Sequence, residues 1–240
     1  TYRLDRARLL RALHAVVTAA DWPPESGPEM RLRFDVLAGP AEALGTTSRE
    51  LIALQPFTPP LPELYERGVA VAFAAGLARE RPQAKTADFA ARRPTTAGLR
   101  QIEESGQLAA SGEQSAVNSE PYEYLLLDSA GRILEGTGTN FWAVRDGVVY
   151  TAGEGVLEGI TREILLQLIG ELGIPLRLEA VGAADIAVLD EAALSGSSRA
   201  LLPVVSIAGQ LIGDGRPGPV TRRILAAYNA FVAESVRIAI

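Results

Sequence analysis

The spacing of apolar positions changes along the chain, and each change marks an element. Leu9, Leu13, Val16 and Val17 follow an i, i+4, i+7, i+8 stripe, which predicts an amphipathic helix over residues 6–19. His14, the only histidine, lies beside that stripe and reads as a partly buried structural residue, because no catalytic partner is visible near it. Residues 21–28 form a Pro/Gly/Ser loop, and Met30 to Leu37 alternate as a strand does. The proline cluster from Pro56 to Pro62 predicts a boundary between a small domain, 1–58, and a larger one, 63–240.

Beyond the boundary, the small and β-branched run from Gly68 to Ala75 predicts a strand, and residues 86–93 a helix. The stretch 94–120 is polar and poor in large apolar residues, so a helix fragment and a mobile loop are expected there. Tyr122 to Leu127 predicts a strand, Ser129 to Arg132 a turn, and residues 140–150 a hairpin around Asp146-Gly147. Ile164, Leu165, Leu168 and Leu172 predict a helix over 161–172, closed by Gly173 with Pro175 behind it. A last amphipathic helix runs from Pro219 to Val236. The mixture implies an α/β or α+β fold with antiparallel pairing, without the regular alternation of a doubly wound sheet.

Composition then narrows the chemistry. A net charge of -6 over 240 residues argues against a nucleic-acid partner. The longest apolar run, Gly68 to Ala78, is too short for a bilayer, and Thr1-Tyr2-Arg3-Leu4-Asp5 begins no secretory signal, so a cytoplasmic setting without membrane attachment is expected. There is no cysteine, and a single histidine argues against a Ser-His-Asp triad or a histidine-based metal site; no metal is expected. Of the 23 basic residues Lys85 is the only lysine. Arginine replaces lysine as a surface charge but cannot form a Schiff base. The lone lysine is therefore either kept for amine chemistry or left over from a coding bias toward arginine, and composition does not separate the two.

Four segments stand in a particular order. They are Arg81-Pro82-Gln83-Ala84-Lys85-Thr86, Glu135-Gly136-Thr137-Gly138-Thr139-Asn140-Phe141, Leu157-Glu158-Gly159-Ile160-Thr161-Arg162 and Ser195-Gly196-Ser197-Ser198. The second lacks the third glycine of a dinucleotide fingerprint and leads into a strand, so nucleotide binding is not its reading. Together with the tail from Gly213 to Thr221, the order resembles the class IV aminotransferases, a group that includes branched-chain and D-amino acid aminotransferases and aminodeoxychorismate lyase. The resemblance runs from about Gly68 onward.

That resemblance implies a two-domain fold-type IV enzyme dependent on pyridoxal 5'-phosphate, with a smaller N-terminal α/β domain and a larger C-terminal pseudo-barrel. It implies Lys85 as the Schiff-base and proton-moving residue, and Glu135 as the acid facing the pyridine nitrogen. A surface glutamate at a strand end competes for Glu135. The backbone amides at Ile160 and Thr161 are implied as phosphate donors, although Thr161 also suits a plain helix cap. Ser197 is implied as a second phosphate donor and Ser198 as the residue whose amide faces the substrate carboxylate; both also suit a turn. Arg8 resembles the family's phosphate-binding arginine only loosely, and a surface ion pair competes for it. The implied activity is transfer of an amino group between a small amino acid and a 2-oxo acid by a homodimer. Aminodeoxychorismate lyase and a cofactor-binding protein without turnover are the alternatives.

Three departures from the family pattern stand out. Tyr2-Arg3-Leu4-Asp5 resembles the end of an aromatic-rich strand, so the small domain is expected to be short of its first strands. Asp88 and Phe89 occupy the region where some members carry a tyrosine for the ring hydroxyl. The stretch from Arg93 to Glu120 is longer than the usual connection.

Overall fold

The computed structural model describes residues 3, 5–20, 30–94, 96 and 120–238; the loop expected at 21–28 and nearly all of the polar stretch 94–120 lie outside them. The chain divides into two compact units between Pro59 and Pro60.

In the N-terminal unit, helix α1 (Arg6–Ala19) starts where the Asp5 carboxylate accepts the Arg8 N–H at 3.0 Å. Strands β1 (Met30–Val36) and β2 (Glu50–Pro56) pair antiparallel, Met30 opposite Pro56. The apolar stripe is present, but α1 has no fully buried residue and His14 is exposed rather than partly buried. One helix and a two-stranded ribbon offer too little surface to cover a helix face.

The larger unit opens with α2 (Pro62–Arg67), β3 (Val69–Phe73) and α3 (Ala87–Arg92). Strands β4 (Glu123–Leu127), β5 (Ile133–Gly136), β6 (Asn140–Arg145) and β7 (Val148–Tyr150) follow. Asp146 and Gly147 both take positive φ, 52° and 73°, as the tight turn between β6 and β7 requires. Helix α4 (Ile160–Glu171) and β8 (Leu176–Arg177) lead to β9 (Glu191–Gly196), β10 (Ala200–Ile207), β11 (Gln210–Leu211) and the terminal α5 (Pro219–Ile238).

The strand pairings close on themselves: β10 pairs with β3, then β4, β5, β6 and β9 follow, and β9 returns to β10. This is the pseudo-barrel. Pairing is not uniformly antiparallel as the sequence pattern implies, because β3 runs parallel to both β4 and β10, and β7 parallel to β8. Parallel neighbours lie far apart in the chain and leave no local turn signal.

Successive residues on the barrel strands enter different cores. Phe141, Leu194 and Leu202 belong to one cluster with Val71, Leu125 and Ile207. Their neighbours Trp142, Ala193 and Leu201 belong to a second, which takes in Leu165 and Ile169 of α4 and Ile224 of α5. Both faces being covered, β9 and β10 read as continuous apolar runs, which periodicity does not distinguish from buried helix. Among the described residues no helix is long and apolar enough to cross a membrane.

Candidate active site

Two residues of the Glu-Gly-x-x-x-Asn segment converge through hydrogen bonds on one residue, Leu157. Glu135 and Asn140 lie directly opposite each other where β5 turns into β6. Glu135 Oε2 accepts the Leu157 N–H at 3.0 Å, and Asn140 Nδ2 donates to the Leu157 carbonyl at 2.7 Å. The two ends of the Glu-Gly-x-x-x-Asn segment thus hold the same residue from both sides. A Cβ on Gly159 would lie 2.7 Å from Asn140 Oδ1, so only glycine lets the loop pass that closely. Leu157 in turn fixes where α4 begins.

That start is unusual. Its N-cap is Gly159, and no side chain bonds its first-turn amides among the described residues. Thr161, considered above as a possible cap, is instead buried in the first turn, while Ile160 is exposed. The contrast lies in α5, whose Val220 and Thr221 amides donate to the two Glu191 oxygens at 2.9 and 2.7 Å. One helix is closed by an acid of the protein's own; the other presents orphan N–H groups and a positive dipole end.

Pairing of β6 with β9 sets Asn140 opposite Ser195, whose Oγ accepts the Trp142 indole N–H at 2.8 Å. The loop from Gly196 to Ser198 is thereby carried to the same place. A cavity of about 300 Å³ results, lined by Lys85, Glu135, Ile160, Thr161, Ser197 and Ser198, with Arg79, Phe89, Arg93 and Glu158 also on its wall. Its size lies at the lower end of small-molecule sites. Arg8 belongs to the N-terminal unit, where its guanidinium meets Glu50 at 2.5 Å.

Glu135 is buried with Arg79, whose Nε donates to Oε1 at 2.6 Å. Arg79 also lies over the Phe89 ring, 4.0 Å from its centroid. Burial pushes the Glu135 carboxyl above the usual carboxylate range, and the Leu157 N–H and the Arg79 charge pull it back. Sequence reasoning missed Arg79, one arginine among many in a segment without periodicity. A second buried pair stands behind the cavity. Arg199 Nη1 meets Glu123 Oε2 at 3.0 Å, and the Thr137 hydroxyl donates to Glu123 Oε1. It ties the turn after β5 to the loop before β10. Among the described residues no group of histidine and carboxylate side chains is placed to hold a metal.

The donor set suits pyridoxal phosphate. It offers an amine, a buried carboxylate with both oxygens aimed by donors, and a helix start whose amides no side chain has taken.

Comparison with known proteins bears on the family. The amino-transferase class IV family model matches residues 1–207. The chain is 40% identical to the branched-chain-amino-acid aminotransferase of Salmonella typhimurium over 108 residues, 44% of this chain and 35% of that enzyme. The match thus spans about a third of the relative's length. The crystal structure of the Escherichia coli branched-chain amino acid aminotransferase superposes with a TM-score of 0.68 and 25% identity, covering 96% of this chain and 72% of that one. The T.th. branched-chain amino acid aminotransferase with pyridoxamine 5'-phosphate gives a TM-score of 0.58 and 26% identity, covering 75% and 56%.

Proposed function

The chain belongs to the amino-transferase class IV family, and from that premise we propose that it is a pyridoxal-phosphate-dependent aminotransferase acting between a small amino acid and a 2-oxo acid. The observation that carries the reading is the meeting of Lys85, Glu135, the uncapped start of α4 and the Ser197–Ser198 loop in one cavity.

The cofactor, when bound, supplies an electrophilic aldehyde and an electron-withdrawing ring, which together let a proton leave an amino acid's α-carbon. In this reading Lys85 contributes its amine, first to anchor the cofactor and then to take and return the α-proton. Glu135 holds a proton on the ring nitrogen; Arg79 and the Leu157 N–H aim its two oxygens. The Ile160 and Thr161 amides and Ser197 bind the phosphate, and the Ser198 amide faces the substrate carboxylate. Arg8 is left out of this reading, since Glu50 engages it within the N-terminal unit. A homodimer, as the resemblance implies, in the cytoplasmic setting expected from the sequence completes the reading, and sedimentation analysis tests the assembly.

The test is a half-reaction. The cofactor-loaded protein is mixed with panels of L- and D-amino acids while the cofactor's absorption is followed. Conversion to the pyridoxamine form with release of a 2-oxo acid is the expected result. No conversion, with pyruvate released from aminodeoxychorismate, would replace transfer by elimination. No response to either substrate would reduce the protein to a cofactor carrier.

A further inference from the structure

We propose that Tyr65 is a positioning residue: its hydroxyl holds the Arg199–Ala200 peptide in a left-handed turn and so fixes the Ser197–Ser198 loop on the cavity wall. That the fixed loop serves a cofactor rests on the aminotransferase reading above; the hold itself does not.

The backbone supplies the first reason. Three described residues other than glycine take positive φ: Asp146, Ala200 and Ala208, at 52°, 49° and 50°. Asp146 and Ala208 each precede a glycine of positive φ, in two-residue turns between β6 and β7 and between β10 and β11, and such turns require it at both positions. Ala200 has no such partner, since Leu201 follows it. Its Cβ makes the left-handed region unfavourable, so a neighbouring interaction must hold it there.

Gly196 and Ala200 lie opposite each other at the end of the β9–β10 pair, and the Arg199 N–H donates to the Gly196 carbonyl at 3.0 Å. Ser197 and Ser198, on the cavity wall, stand inside that turn. A change of φ at Ala200 would swing both. The turn is gripped from two elements. Tyr65 of α2 donates its hydroxyl to the Arg199 carbonyl at 3.0 Å. That carbonyl belongs to the peptide joining Arg199 to Ala200, so the bond acts directly on ψ of Arg199 and φ of Ala200. The Arg199 guanidinium meets Glu123 of β4 at 3.0 Å.

Tyr65 suits the task. Its ring packs beside Leu64 against the core cluster that holds Leu202 and Ile207, which fixes the direction of the hydroxyl. Helix α2 is itself seated on β10: a Cβ on Gly68, its C-cap, would overlap the Val205 side chain, so only glycine lets it approach so closely. Burial pushes the Tyr65 hydroxyl up to about 12, so its proton stays in place at neutral pH. The competing role is packing alone, which a phenylalanine would serve equally well.

Hydrogen exchange of the Arg199 amide reads the turn with no ligand present, and titration with pyridoxal 5'-phosphate and with pyridoxal reads its use. The parent, Tyr65→Phe, Ala200→Gly and the double variant are compared. Tyr65→Phe keeps the ring and should speed Arg199 exchange about three- to tenfold, the worth of one hydrogen bond. Ala200→Gly should slow exchange by itself and return the double variant toward the parent, because glycine takes the left-handed region without strain. Affinity for pyridoxal 5'-phosphate should follow the exchange, whereas affinity for pyridoxal, which lacks the phosphate, should hardly change. An unaltered exchange rate in Tyr65→Phe, a loss that Ala200→Gly does not reverse, or equal losses for both aldehydes would overturn the proposal and leave Tyr65 as a core residue. Should Tyr65→Phe fail to fold, faster exchange in Ala200→Gly alone would overturn it too. A parent that takes up neither aldehyde yet shows the exchange pattern would remove the aminotransferase reading and keep the hold.

Discussion

Arg79 and Glu135 form a buried ion pair at 2.6 Å, with side chains 6% and 2% exposed. Such a pair is costly to break from one side, because the remaining charge stays buried alone. Arg79→Met is expected to lower folding stability by about 3–5 kcal/mol in urea titrations. Burial raises the Glu135 carboxyl, and Arg79 opposes that rise. Without Arg79 the protonated acid is favoured further. A group raised on folding contributes stability below its unfolded value and loses it as pH climbs through the folded one. The deficit of Arg79→Met should therefore shrink from neutral to mildly acid solution, and a deficit independent of pH would acquit Glu135.

Glu135→Gln keeps an acceptor for the Leu157 N–H but no longer holds a proton on the ring nitrogen. Cofactor should still bind, and α-proton removal should slow by orders of magnitude in stopped-flow half-reactions. A change of less than threefold, about 0.65 kcal/mol of barrier, would make Glu135 a bystander.

Borohydride reduction of the loaded protein should fix the cofactor on the peptide containing Lys85, and mass spectrometry of the digest reads the site. Lys85→Ala should keep the circular dichroism of the fold and lose the visible band. An unchanged visible spectrum would sink the central assignment.

Ser197 and Thr161 separate side-chain from backbone donors. Ser197 is exposed at the loop tip, and replacing it by alanine should weaken cofactor binding by roughly 1.5–3 kcal/mol, one hydrogen bond to a charged group. Thr161→Ala keeps its amide and should lose less affinity, costing folding stability instead because the side chain is buried. The reverse order in equilibrium dialysis would mean that the phosphate rests on other donors.

Glu158 is an exposed acid on the cavity wall, one residue before the N-cap of α4. A negative charge there repels a dianion at the helix start. Glu158→Gln should tighten cofactor binding several-fold at low ionic strength, and the gain should fade as salt is added. A gain that persists at high salt would point to contact rather than field.

Much of this was legible in the chain. Asp146-Gly147 announced its hairpin because only a few residues adopt positive φ at low cost, and Gly173 with Pro175 announced the end of α4. Glu135, Asn140 and Gly159 were legible as a motif, but not as what they are together, a grip on the Leu157 peptide. Arg79 and the Glu123–Arg199 pair left no trace. Their partners lie 56 and 76 positions away, and no local pattern encodes so distant a meeting. Strand β3 escaped in its direction for the same reason, since its parallel neighbours come from distant parts of the chain.

The open start of α4 ties folding to supply. Glu191 finishes α5 permanently, whereas an anion that finishes α4 does so only while it is present. Any ligand that binds the folded chain alone raises its stability with the logarithm of concentration, about 2.7 kcal/mol at a hundred times its dissociation constant. With the phosphate bound there, as proposed, the melting temperature is expected to rise with the concentration of phosphorylated cofactor. Removal of the cofactor would then be read as a lower melting temperature before any loss of activity is measured.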